Sequence, residues 1–279
     1  VTQIRPMTLT DVGIGMGLKH QAGWNQLESD WIRMLEIPGG GGYVAECDGL
    51  PVGTVLSLRF GIVAWIAMML VDISYRGRGI GRELMRSALE NLDQAGVESI
   101  RLDATPMGQP LYESLGFKVE VELARFAGTL PESSSVVQSD VVSAPDPIHE
   151  IIALDRAVTH TDRGPLLTQL AKEHKDSLRV VRNDGRVTGY LMSRPGAVAT
   201  QVGPCIADEV AGPQLVEDLA HRFAGTSVYL DILKDHEQAT RLATSLGLRP
   251  IRQLSRMGRG RPIVEDRTQL WLSAGPEKG

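Results

Sequence analysis

The chain has little of what builds disulfide or metal sites. Its 279 residues include two cysteines, Cys47 and Cys205, which lie far apart and lack metal-ligand spacing. No disulfide framework can be drawn from them, and the pair reads as free thiols of a reducing compartment. The six histidines are scattered, with no H-E-x-x-H pair and no mixed Cys/His cluster, so no metal is expected. Positive charge is short as well: 29 Lys and Arg stand against 34 Asp and Glu, a net charge of −5. A nucleic-acid binder would carry a strongly basic surface, so nucleic acid is not an expected partner. Long apolar runs are missing too. The longest, residues 62–71, is about half of what spans a bilayer and reads as a buried strand. No basic start leads into a hydrophobic leader. A cytoplasmic protein without membrane attachment is the expectation.

What the chain does have is a basic, glycine-rich turn. Val71-Asp72-Ile73-Ser74-Tyr75-Arg76-Gly77-Arg78-Gly79-Ile80-Gly81-Arg82-Glu83-Leu84 has the form of a strand end, a tight turn and a helix start. Leu84, Met85, Ala88, Leu89 and Leu92 then recur at helical spacing and define a buried face. A helix N-terminus leaves backbone N–H groups without partners, and its dipole favours an anion. Glycine lets a phosphate approach the backbone with no Cβ in the way, while Arg76, Arg78 and Arg82 add charge. Spacing decides whose phosphate is held. A Walker A loop needs a Lys after its glycines, and none follows here. The dinucleotide fingerprint needs a third glycine where Arg82 or Leu84 stands.

The pattern that fits is R/Q-x-x-G-x-G/A, written here as Arg76-Gly77-Arg78-Gly79-Ile80-Gly81. It resembles the acetyl-CoA pyrophosphate loop of the GNAT acetyltransferase superfamily. About thirty residues on, Leu111-Tyr112-Glu113-Ser114-Leu115-Gly116-Phe117 is similar to the tyrosine signature that closes the GNAT core. Gly116 suits a left-handed helix cap. Between the two, Glu98-Ser99-Ile100-Arg101-Leu102-Asp103 alternates like a strand.

The length implies about two domains, and landmarks repeat. Asp48-Gly49 is echoed by Asp184-Gly185, Ile100-Arg101-Leu102-Asp103 by Val228-Tyr229-Leu230-Asp231, and Leu115-Gly116-Phe117 by Leu246-Gly247-Leu248. The Ser- and Pro-containing stretch 131–147 between them reads as a linker. The expected organisation is a catalytic domain at 1–130 and a duplicated domain at 148–279. The echo fails at Gly203-Pro204-Cys205-Ile206-Ala207-Asp208-Glu209-Val210, where two acids replace the glycine repeat and arginines. Together with Ala22-Gly23-Trp24-Asn25-Gln26, Val202-Gly203-Pro204 and Arg256-Met257, these features resemble a tandem-GNAT group whose second domain is degenerate. The fold class implied is α/β (α+β), with two GNAT-like units, each a mixed, mostly antiparallel sheet flanked by helices.

The resemblance implies an acetyl-CoA-dependent N-acetyltransferase acting on a small amine, with direct attack in a ternary complex. A non-catalytic acyl-CoA sensor and acetylation of a protein amine stand as alternatives. In the implied site, Met69, Leu70 and Val71 hold the pantetheine arm through their backbone. Residues Arg76, Gly77, Arg78, Gly79, Ile80, Gly81 and Arg82 hold the diphosphate. Arg86, one turn beyond Arg82, fits a solvated face better. Tyr112 protonates the departing thiolate, as an ordinary thiol has a pKa of about 8.5 and tyrosine about 10. The strand before the loop offers no base. Asp103 is the first candidate to bind an ammonium or take its proton through water, with a turn acceptor at Thr105-Pro106 as the equal alternative. Glu46 is a distant third. Trp24, Asn25, Gln26, Asp30 and Trp31 suit a polar or cationic acceptor pocket or, equally, helix packing against the sheet.

Overall fold

The structure, a computed structural model, describes residues 2–132, 141 and 148–277. The linker expected at 131–147 therefore lies almost entirely outside the described residues.

The front half runs β1 (Thr2–Pro6), α1 (Val12–Ala22), α2 (Glu28–Glu36), β2 (Gly40–Cys47), β3 (Leu50–Phe60), β4 (Val63–Val71), α3 (Ile80–Gln94), β5 (Ser99–Ala104), α4 (Gln109–Glu113) and β6 (Lys118–Thr129). The rear half runs α5 (Ile148–Thr159), α6 (Gly164–Glu173), β7 (Arg179–Asn183), β8 (Arg186–Arg194), β9 (Thr200–Ala207), α7 (Ala211–Arg222), β10 (Ser227–Leu233), α8 (Glu237–Ser245), β11 (Arg249–Gly260) and β12 (Leu270–Leu272). From β2 to β6 and from β7 to β11 the order of elements is the same, as the repeated landmarks imply. Both Asp-Gly pairs are hairpin turns with positive φ at each residue: 51° and 79° at Asp48-Gly49, 48° and 78° at Asp184-Gly185. This backbone matches the twist of the strands it joins, and it favours this residue pair.

The two halves share a single sheet, ordered β1-β2-β3-β4-β5-β11-β6-β10-β9-β8-β7, with β12 added on β9. Their last long strands are exchanged. β11 of the rear half lies between β5 and β6, and β6 of the front half lies between β11 and β10. Most pairings are antiparallel; β4–β5 and β9–β10 are parallel.

Strand β4 shows why its sequence is apolar throughout. Successive side chains point to opposite faces, and both faces are covered. Trp65 and Ala67 join one core with Trp31 and Met34 of α2, and Met68 and Leu70 join the same core because a register shift opposite Thr54 and Leu56 resets the alternation. Ala64 and Ile66 join another with Ile80, Leu84, Met85, Ala88 and Leu89 of α3. The first core continues into the rear half through Ile151, Leu166, Leu167 and Tyr190, so α1, α2, α5 and α6 are packed between the halves. Among the described residues no helix is long and apolar enough to cross a membrane.

Candidate active site

Strands β4 and β5 pair only from Val63↔Ser99 to Trp65↔Arg101 and then diverge. Beyond that point the β5-facing edge of β4 has no strand partner among the described residues, and Met68 takes a positive φ of 51°. The divergence opens a cleft of about 910 Å³. Ile66 to Val71 line one wall, Leu102 and Asp103 the other, and the start of α3 with Tyr112 of α4 closes one end.

The loop before α3 is shaped by its glycines. Gly77 and Gly79 have φ of 76° and 83°, a conformation that glycine enters without steric cost. Gly79 is the N-cap of α3 and offers no side chain to the first turn. The amides of Gly77, Arg78, Gly79, Ile80 and Gly81 make no hydrogen bond among the described residues; the first paired ones are Arg82 and Glu83, both to the Gly79 carbonyl. A Cβ on Gly81 would lie 2.6 Å from Met69 Cε and 3.5 Å from Leu111 Cδ2, so its bare backbone keeps the loop close to β4 and α4. A run of free amides at a helix N-terminus fits a diphosphate.

The arginines of the loop divide. Arg76 and Arg82 line the cleft. Arg76 Nε donates to the Val71 carbonyl (3.1 Å), and Arg82 Nη2 donates to Ser114 Oγ (3.0 Å). That second bond ties the loop to the helix bearing Tyr112. Arg78 folds away instead, with its guanidinium 4.9 Å from the centre of the Tyr75 ring and donating to the Ser74 carbonyl. Arg86 is exposed on α3. Asp72 also turns from the cleft, accepting from Gln21 Nε2 (2.7 Å) and the Ser74 amide (2.8 Å).

Tyr112 lines the cleft next to Gly108, where a Cβ would stand 3.1 Å from its ring. Burial pushes the phenol pKa up to about 12, so the group holds its proton through the neutral range. Asp103 also faces the cleft, but its setting differs from the expected turn acceptor. Both its oxygens accept from Arg256 of β11, from Nε at 3.0 Å and Nη2 at 3.2 Å. Burial raises its pKa and Arg256 opposes the rise. A carboxylate clamped in this way is poorly placed to shuttle protons. Glu46 pairs with Arg5 Nε at 2.7 Å on β2, away from the cleft.

The early helical segment splits by residue. Trp24 and Gln26 line the cleft. Asn25, Asp30 and Trp31 do not, which corrects the pocket reading for these three. Asn25 accepts from the Val198 and Ala199 amides (2.8 and 3.1 Å) and donates to the Ala199 carbonyl (2.9 Å). Asp30 accepts from Arg33 (2.6 Å) and Arg194 (2.9 Å). Trp31 is fully buried over Gly15, where a Cβ would sit 2.6 Å from its ring. All three hold the halves or helices together. Nothing local announces that Asn25 and Asp30 take partners more than 160 residues away.

Sequence reasoning missed the cleft residues on and beyond the exchanged strands: Arg125 on β6, Arg252 and Leu254 on β11, and Pro276 and Glu277 after β12. The Pro276 carbonyl accepts from Trp65 Nε1 at 3.2 Å, laying the C-terminal segment along the acceptor end. Arg256-Met257 lies on the same strand and was the one available signal, but register across exchanged strands cannot be read from spacing.

In the rear half the equivalent cleft is filled by the chain itself. β9 and β10 pair from Val228↔Thr200 to Leu230↔Val202 and then part. β12 enters the gap, pairing with β9, and the Ser273 amide donates to the Asp231 carbonyl (2.9 Å). Trp271 of β12 is fully buried, donates to the Ala207 carbonyl (3.0 Å) and covers Gly212 of α7 so closely that a Cβ would lie 2.0 Å from its ring. Asp208 Oδ1 accepts from the amides of Val210 (3.0 Å) and Ala211 (2.7 Å).

A parted pair of parallel strands with free amides at the following helix leaves room for an extended ligand with an anionic end. Models of the acetyltransferase (GNAT) domain match this chain twice, over residues 38–119 and 151–272. The uncharacterized N-acetyltransferase YitH of Bacillus subtilis (strain 168) is 26% identical over 220 residues, covering 77% of each chain. A solved structure from Pyrococcus horikoshii assigned as an acetyltransferase is similar with a TM-score of 0.83 at 22% identity, over 100% of this chain and 96% of that one. A tandem GNAT protein from the clavulanic acid biosynthesis pathway is similar with a TM-score of 0.65 at 14% identity, over 94% and 99%. The chain belongs to the GNAT acetyltransferases, as an acyltransferase of the tandem type. Enzymes of this family use acetyl-CoA as co-substrate.

Proposed function

We propose that residues 1–130 form an acetyl-CoA-dependent N-acetyltransferase unit, completed by the strand received from residues 148–279. The acceptor is a primary amine of a small molecule, attacking directly in a ternary complex. The observation that carries this reading is the row of five free amides from Gly77 to Gly81 at one end of an open cleft.

Acetyl-CoA supplies an activated thioester. The Gly77–Gly81 amides, with Arg76 and Arg82, bind its diphosphate. The unpartnered edge of β4 at Met69, Leu70 and Val71 binds the pantetheine arm by backbone hydrogen bonds. Tyr112 holds a proton at Oη for the departing sulfur. A thiolate of pKa about 8.5 is a modest base, and general-acid help of this kind is worth roughly 10²–10⁴-fold. Asp103, held by Arg256, orients the acceptor end of the cleft rather than cycling protons, so the amine enters neutral.

The test is thiol release from acetyl-CoA across a panel of amines. Release with saturation in both substrates supports transfer. Tight CoA binding with no release across a broad panel would favour the sensor reading instead. Tyr112→Phe should lower kcat by roughly 10²–10⁴-fold with CoA affinity nearly unchanged. Because the phenol stays protonated up to a pKa of about 12, the wild-type rate should rise with pH as the amine deprotonates, with no falling limb from Tyr112 in the neutral range. An unaltered kcat in the Phe variant would remove Tyr112 as the acid.

A further inference from the structure

The acceptor end of the cleft is walled by the exchanged strand. On β11, Arg252, Leu254 and Arg256 share one face, because side chains alternate along a strand. Across the pairing with β6, Arg252 stands directly opposite Arg125, and Leu254 opposite Leu123.

The charges here are matched, with one exception. Arg125 donates to both oxygens of Asp231 at 2.8 Å and to Gln201 Oε1 at 3.3 Å, with its guanidinium 4.9 Å from the Tyr229 ring centre. Arg256 is paired with Asp103. Glu277 is paired with Arg194 and accepts from Gln26 Nε2 at 3.1 Å. Arg252 is half-buried, lines the cleft, and makes no hydrogen bond or ion pair among the described residues. Burial and then Arg125 disfavour its charge, and Tyr229 and Asp231 offset them only in part. An arginine nevertheless stays protonated in proteins. Like charges directly opposite across an antiparallel pair are destabilising, so this wall holds one positive charge at a cost and without a protein counter-ion.

We propose that Arg252 is the acceptor-binding residue for an anionic group, and that the acceptor is an amine that also carries a carboxylate. This deepens the transferase reading and rests on it for the position of the amine. The charge count selects the anion. One uncompensated guanidinium balances a monoanionic carboxylate, whereas a phosphate dianion would need a second cation, and Arg125 is already engaged by Asp231. A planar guanidinium also suits bidentate carboxylate geometry. The rear half thus contributes substrate choice to a site whose co-substrate loop belongs to the front half.

The test reads binding rather than turnover. The full-length protein is saturated with CoA, and calorimetry compares α-, β- and γ-amino acids with their decarboxylated amines and with aminoalkyl phosphates. At least one amino carboxylate should bind roughly tenfold or more tightly than its matched amine, as expected for a charge-assisted hydrogen bond. Arg252→Gln should erase that preference, Arg252→Lys should keep part of it, and CoA affinity should not change in either. The assignment is overturned if no member of the panel binds, if the amines match their carboxylates throughout, if the preference survives in Arg252→Gln, or if phosphates outrank every carboxylate. Carboxylate binding without thiol release from acetyl-CoA would end the transferase reading and leave Arg252 assigned. Release with uncharged amines alone would do the reverse.

Discussion

The two halves of this chain start from the same order of elements and finish with opposite sites. In each, a parallel strand pair parts and a helix begins beside the gap. In front, the gap is a cleft, and the helix opens on five amides without partners. At the rear, β12 fills the gap, Trp271 seals the helix start, and Asp208 takes two of its amides. The difference is that the rear half satisfies its own helix terminus with a side chain, while the front half leaves its amides without protein partners. Helix-end amides take side chains, water or a ligand as partners, and those of the front half are open to solvent at Gly77 to Gly79. The proposed placement of the co-substrate in the front half rests on that half lacking an internal substitute.

The largest effect should come from giving the front half what the rear half has. Gly81→Asp places a carboxylate in the first turn of α3, where it favours the helix dipole. The nearest obstruction is the end of the Met69 side chain, 2.6 Å from where the new Cβ would stand, and that end is flexible. The protein should stay folded and lose CoA affinity by roughly 100-fold or more, since an anion now stands where the diphosphate goes. Calorimetry with CoA, alongside circular dichroism, checks this. Retained affinity in a folded variant would break the comparison.

The second effect tests the seal. Trp271 is fully buried, and its ring packs on Gly212 and lies 4.7 Å from that of His236. Trp271→Ala should cost about 3–5 kcal/mol, the usual range for emptying a buried aromatic site. Chemical denaturation measures it. The variant should still bind one CoA per chain, because Asp208 continues to occupy the rear amides.

How much of this was open to sequence reading follows from the range of the interactions. The loop, the Asp-Gly hairpins and the Leu-Gly turns depend on backbone conformations within a few residues, and glycine advertises them. The apolar run of β4 likewise reports burial on both faces. The loss of the rear loop was legible in the acids at Asp208 and Glu209, and half of the reason was already there, in the carboxylate that caps α7. The other half, β12 with Trp271, was not, because a three-residue strand carries too short a pattern. The exchange of β6 and β11 was hidden for a related reason. Both strands have ordinary alternation, and nothing in a strand states which neighbour it takes. Arg252, the clamp of Asp103 by Arg256, and the structural roles of Asn25, Asp30 and Trp31 all depend on that missing adjacency.

The smallest effect separates the two devices that close the rear half. Asp208→Ala removes a side-chain cap from α7 and leaves Trp271 in place. Loss of such a cap costs about 0.5–2 kcal/mol, typically near 1, well below the effect of Trp271→Ala. Freed amides alone do not make a co-substrate site here, since the gap between β9 and β10 stays occupied by β12 and no arginine flanks this turn. The stoichiometry of CoA should therefore remain one per chain. If a second equivalent binds to the Asp208→Ala protein, the carboxylate was the principal barrier and the seal by Trp271 is secondary. If the stoichiometry holds, closure of the strand gap is what keeps the rear half from the co-substrate, with the cap serving the helix.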